Sequence, residues 1–146
     1  DQVRLDIAQA AAQQLREVGV NCTVEVPAKM DWGGQMACLI GWGSPFDADD
    51  HTYKVFGTDK GANYSGYSNE KVDEYLTLAR QSSDPAVRQE YYSKFQTELA
   101  ADPPYAFICY IDANYVAKST VQGIDPDTVL GHHGVGIFWN VHQWTI

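Results

Sequence analysis

The stretch MACLIGWGSPFDADDH, residues 36–51, decides how this chain is read. Five apolar or small residues, Met36 to Ile40, run into Gly41, Trp42 and Gly43. Ser44 and Pro45 break the run, and after Phe46 come Asp47, Asp49, Asp50 and His51. A short apolar run bounded by turn residues reads as a buried strand. The Gly-rich, acidic segment after it then reads as the loop at the strand's C-terminal end. In open α/β sheets that end is where ligands bind. The competing reading is an ordinary strand whose Trp packs in a core and whose acids cap the next helix. Spacing alone leaves both open.

Upstream of this stretch, Ile7, Ala8, Ala11, Leu15 and Val18 recur at helical spacing, and Gly19 stands where a helix-ending glycine belongs. Val20, Cys22, Val24 and Val26 alternate with Asn21, Thr23 and Glu25, the period of a half-buried strand, and Pro27 stops it. A polar loop with Asp31, Trp32, Gly33 and Gly34 leads to the central run. Downstream, a short helix or turn is expected near residues 50–56, followed by an ordered loop rich in Gly, Asn and Tyr. Ser68 or Asn69 caps a helix with Val72, Tyr75, Leu76 and Ala79 facing inward. Asp84 and Pro85 restart the chain as a cap and a first-turn proline. Val87, Tyr91, Tyr92, Phe95 and Leu99 form the stripe of a helix reaching about residue 101, and Asp102, Pro103 and Pro104 end it. Residues 105–111 and 115–116 read as strands. The order predicts an α/β chain, a mixed sheet with covering helices. The tail from Val121 differs, with four glycines, three of the four histidines and a closing Phe138, Trp139 and Trp144.

Composition bounds the function. The 146 residues suffice for a real core, with 45% hydrophobic and 12% aromatic residues. Nineteen Asp and Glu against ten Lys and Arg give a net charge of −9. That balance repels phosphate backbones and excludes nucleic acid as a partner. No apolar run approaches the ~20 residues of a membrane helix. The opening DQVRLDIAQ is already a helical repeat rather than a signal peptide, so the chain is expected to begin mid-protein. Cys22, Cys38 and Cys109 form no C-x-x-C pair and read as buried free thiols.

The order of the landmarks resembles one family. L-R-E-V-G-V ends a helix and enters a strand; D-W, the apolar run into G-W-G-S and the Asp-rich loop follow. Then come N-Y-S-G-Y-S-N-E-K-V-D and D-P-A-V-R-Q-E-Y-Y-S-K-F-Q-T-E-L-A-A-D-P-P-Y. Over roughly residues 3–123 this is similar to the C-terminal part of the extracellular solute-binding proteins of peptide and nickel ABC importers. The resemblance implies part of a type II periplasmic-binding-protein-like fold, two lobes closing on a ligand. Residues 1–118 would be most of the second lobe, and residues 119–146 a tail crossing back towards the first. It also implies no covalent chemistry and no cofactor, a peptide or other small solute as ligand, and an ABC permease as partner. The location would be the outer side of the cytoplasmic membrane, periplasmic or lipid-anchored.

The ligand positions implied by the resemblance are Trp42 as an aromatic wall and Gly43 as a backbone contact, with Ser44, Phe46 and Asp47 beside them. Peptide-binding members carry an Asp three residues after the Trp; here that residue is Pro45. Other readings of the residues compete. Closely spaced carboxylates suit a cation or ammonium subsite, or else helix capping by Asp49 or Asp50 with a solvated rim. An enzyme reading would be a metal-dependent hydrolase using Asp47, Asp49 and Asp50 with His51, His132 or His133. No H-E-x-x-H, EF-hand or G-x-S-x-G spacing supports it. Tyr64 and Tyr67 either line a cleft or pack over their own loop. The isolated chain is expected to self-associate through uncovered edges.

Overall fold

Asp1 sets the first helix: its carboxylate accepts the Arg4 amide at 3.3 Å and meets the Arg4 guanidinium, and α1 runs over Gln2–Glu17. The stop is the expected glycine, with Gly19 at φ 89°. Its N–H donates to the Arg16 carbonyl at 3.0 Å, and the Val20 N–H donates to the Leu15 carbonyl at 2.9 Å. These paired bonds close the helix in a Schellman motif, which needs the left-handed conformation a Cβ disfavours. The computed structural model describes residues 1–31, 37–43, 47–112, 114–128 and 136–146. The chain divides into two units, Asp1–Trp42 and Gly43–Ile146.

In the first unit Ala12 of α1 is buried. Cys22 and Val24 are half-buried while Asn21, Thr23 and Glu25 are exposed, the alternation expected of a strand. Gly41 passes close to the first turn of α1, where a Cβ would stand 2.5 Å from an Arg4 guanidinium nitrogen.

The second unit is built on three helices. The expected short helix is α2, Ala48–Phe56. Its cap is Asp47, not Asp49 or Asp50 as the sequence suggested. The β-region backbone of Asp47 (φ −135°, ψ 142°) lets its carboxylate accept the Asp49 N–H at 2.8 Å. Asn69 caps α3, Glu70–Gln81, accepting the Lys71 and Val72 amides at 3.0 and 3.2 Å. Asp84 caps α4, Pro85–Ala101, accepting the Ala86 amide at 2.8 Å with Pro85 opening the helix. Val72 and Leu76 of α3 are buried against Phe95 and Leu99 of α4, and Tyr67 completes the cluster. Phe56 joins from the end of α2, its ring 5.6 Å from that of Phe95.

The loop between α2 and α3 is held by one amide. Asn63 Nδ2 donates to the Gly57 and Tyr67 carbonyls at 2.9 and 2.7 Å, and its Oδ1 accepts the Tyr67 N–H at 3.1 Å. Thr58 N–H donates across to Asp73 of α3 at 2.8 Å. The tail closes on itself in the same manner. Gln122 and Thr145 form an antiparallel bridge, and a 3-10 helix, Ile137–Gln143, lies between them in sequence. Buried Asn140 donates to the Gly123 carbonyl at 2.9 Å and accepts the Trp144 indole N–H at 2.8 Å. Gly123, at φ 86°, leaves room that a Cβ would fill at 2.8 Å from the Gln143 carbonyl.

The expected mixed sheet is not formed among the described residues. Gln122 and Thr145 pair as an isolated bridge in the tail. Residues 20–26, 37–40, 105–111 and 115–116, expected as strands, carry no ladder. A ladder needs a second backbone, and none of these segments finds one among the described residues. Val26, Phe107, Ile108, Tyr110 and Val116 are accordingly exposed. The cysteines follow them: Cys22 is half-buried, Cys38 and Cys109 are exposed, and all three are free. The reading of buried thiols is corrected on the same ground.

Candidate functional site

Trp42 closes the first unit and Gly43 opens the second. The Trp42 side chain is 38% exposed, so its ring is not sealed in a core. Ser44, Pro45 and Phe46 lie outside the described residues, as do His132 and His133. Asp47 begins the next described segment, at the start of α2.

Each carboxylate of the acidic turn has its own cation. Arg88 Nη2, from the first turn of α4, donates to both Asp47 oxygens at 2.6 and 2.7 Å. Arg80 Nη2, from the last turn of α3, donates to Asp49 Oδ2 at 2.9 Å. Lys54 Nζ, one turn along α2, donates to Asp50 Oδ1 at 2.9 Å. The Asp49 amide, and after it Arg88, holds the Asp47 carboxyl below its ordinary value. The Lys54 ammonium does the same for Asp50. Charged hydrogen bonds of this kind favour the ionised acid. Acids at the N-terminus of α2 also face the positive end of the helix dipole.

Aromatic rings hold the cations in turn. The Arg80 guanidinium lies 3.7 Å above the centre of the Tyr53 ring, and the Lys60 ammonium 4.9 Å from it. Lys60, then Arg80, keep the Tyr53 phenol below its ordinary value. The Arg88 guanidinium sits 5.4 Å from the Tyr92 ring. Beside Tyr53 opens a polar hollow of about 200 Å³ lined also by Thr58, Lys60, Asp73 and Thr77. A more apolar hollow of about 260 Å³ lies in the tail, lined in part by Val116, Ile124, Phe138 and Trp144.

Among the described residues no group of three or more His, Cys, Asp and Glu side chains is arranged to hold a metal ion. The acids that would have formed one are bonded to Arg88, Arg80 and Lys54. His51 is half-buried, its Nδ1 3.8 Å from Asp50, and His142 is exposed. Tyr67 is 9% exposed and packs into the α3–α4 core; Tyr64 is exposed. Burial pushes the Tyr67 phenol up.

Sequence reasoning missed Arg80, Arg88, Tyr53 and Lys60. The available signal was an excess of acids at residues 47–50 over local cations. It could not say which cations answer, since Arg80 and Arg88 lie 31 and 41 residues from the acids they bind.

No protein-family model matches the chain. It is 33% identical over 131 residues to Protein XP55 of Streptomyces lividans, an alignment covering 85% of this chain and 24% of XP55. It is 24% identical, over 158 aligned positions, to the oligopeptide-binding protein AppA of Bacillus subtilis (strain 168), covering 99% of this chain and 27% of AppA. Its fold matches the crystal structure of NikZ from Campylobacter jejuni in complex with Ni(L-His). The TM-score is 0.80 and the identity 34%, over 100% of this chain and 31% of NikZ. The chain therefore spans about a quarter to a third of the length of these relatives. Landmark order, sequence similarity and backbone fold agree: the chain is similar to part of a family of solute-binding proteins that includes an oligopeptide-binding protein and NikZ.

Proposed function

We propose that this chain is part of the solute-capturing component of an ABC importer, binding oligopeptides, dipeptides or related small solutes, nickel chelates among them. The observation that carries the reading is the fold match to NikZ over the whole chain at 34% identity. Similarity to an oligopeptide-binding protein supports the same class, and favours it over a hydrolase. The component catalyses no covalent step. It closes two lobes on its solute and presents the closed form to a membrane permease, on the outer side of the membrane. No described helix is long and apolar enough to cross a membrane.

In this reading residues 1–118 form most of the second lobe and residues 119–146 lead back to the first. The unladdered segments join a mixed sheet completed by strands from elsewhere in the protein. Exposed apolar side chains on consecutive residues, such as Phe107 with Ile108 and Tyr110 with Ile111, support that placement, because strands apolar on both faces belong inside a sheet. Trp42, Gly43, Ser44, Phe46 and Asp47 border the solute, Trp42 by packing and Asp47 as half of its pair with Arg88. The test is a thermal-shift screen of the intact solute-binding protein with short peptides and Ni(L-His). A true solute at a hundred times its Kd stabilises by ~2.7 kcal/mol. Trp42→Ala should then weaken binding at least about tenfold, the size of a ~1.4 kcal/mol contact. Affinity unchanged by Trp42→Ala in a folded protein would remove this loop from the site.

A further inference from the structure

We infer that Arg80 and Arg88 set the charge selectivity of the turn that opens α2, cancelling its carboxylates so that it offers no cation subsite. The inference deepens the solute-loop reading above and rests on it. Three carboxylates within four residues would ordinarily repel one another and draw in an ammonium group or a metal ion. Here Asp47, Asp49 and Asp50 are answered by Arg88, Arg80 and Lys54, and the formal charges cancel. Lys54 is the helical neighbour of Asp50, one turn along α2. Arg80 and Arg88 come from two other helices, so their presence is a property of the fold.

Both guanidinium groups are held in place. The Arg88 side chain is 22% exposed and lies by Tyr92; the Arg80 side chain, 41% exposed, is stacked on Tyr53 and bonded to Asp49, itself 22% exposed. Arg88 spends one nitrogen on both Asp47 oxygens. A solute cation aimed at Asp47 or Asp49 must compete with the arginine already bonded to it. Solutes bordering the turn are therefore those with a neutral group at that end, recognised by shape, aromatic contact and backbone polar groups. Arg80 and Arg88 are positioning residues, acting on the solute through the acids they hold.

The test needs no identified solute. Carboxyl carbon NMR of the intact solute-binding protein, selectively labelled at aspartate, reads cation binding at Asp47 and Asp49 directly during calcium chloride titration. In the native chain both signals should drift without saturating. In the double variant Arg80→Gln, Arg88→Gln they should saturate, with apparent affinity at least about tenfold tighter. The double Lys variant, which keeps the charges, should behave as the native chain does. A purely structural role for the arginines would not create a calcium response. Saturation of Asp47 in the native chain overturns the inference whether or not any variant folds, and so does a folded Gln variant that stays silent. Should the double variant unfold, Arg88→Gln alone should still shift the Asp47 titration upward in pH; an unmoved titration also overturns it. An error in the solute-loop reading shows separately, as solute binding indifferent to Trp42→Ala.

Discussion

Asp47 illustrates how much one residue in this chain does. It caps α2 through the Asp49 amide and pairs with Arg88, and both bonds hold its folded-state pKa below the ordinary value of 3.8. A depressed carboxylate stabilises the fold above its unfolded pKa, and that stabilisation is lost as pH falls through the folded pKa. Part of the chain's acid sensitivity below about pH 4 should therefore belong to Asp47. Asp47→Asn keeps a capping oxygen and removes the charge. Denaturant unfolding across this range should show a flatter pH profile for Asp47→Asn than for the native chain. Parallel profiles would mean that the pair contributes nothing in solution, as holds for many exposed ion pairs.

At the scale of elements, α3 and α4 act as one hairpin whose stability lies in a few side chains. Leu76 is fully buried between Val72, Phe95 and Leu99. Leu76→Ala should destabilise the chain by ~2–5 kcal/mol, the range for a buried Leu that leaves a cavity. Denaturant midpoints measure this, and a loss below about 1 kcal/mol would show that the hairpin is not the core. The tail depends instead on a polar contact. Asn140 joins Gly123 to Trp144, so Asn140→Ala removes the partner of the Gly123 carbonyl and of the Trp144 indole N–H together. Each lost hydrogen bond costs roughly 0.5–1.5 kcal/mol. The Trp144 indole resonance should move to its solvent position while the α3–α4 signals stay in place.

For the whole molecule, the dominant feature is apolar backbone without a ladder. Tyr110 and Val116 are 101% and 98% exposed, and Phe107, Ile108 and Val26 stand beside solvent as well. Uncovered edges of this kind invite pairing with a second chain. The isolated 146-residue chain should self-associate, as light scattering over a concentration series would record. Tyr110→Lys with Val116→Lys should shift it towards monomer. A native chain monodisperse at high concentration would show that these segments are silent in solution.

The sequence by itself determined the helices, the caps of α3 and α4 and the likeness to solute-binding proteins. Gly19 at the end of α1, Asn69 and Asp84 at the starts of α3 and α4, and the stripe ending at Leu99 were all legible. Each is a contact within about four residues, so a local pattern suffices. The landmark order around Gly41 and Trp42 was legible for the same reason. Only the tertiary structure decided how the acids are answered and where Tyr67 goes. Asp47 looked like a candidate partner for a solute cation until Arg88 came to it from 41 residues away. The strands mark the same boundary from the other side. Alternation at Cys22 and Val24 survives in their burial, yet a strand becomes a sheet only when a distant backbone supplies its hydrogen bonds. Periodicity records which face a segment would bury, and long-range pairing decides whether it is buried at all.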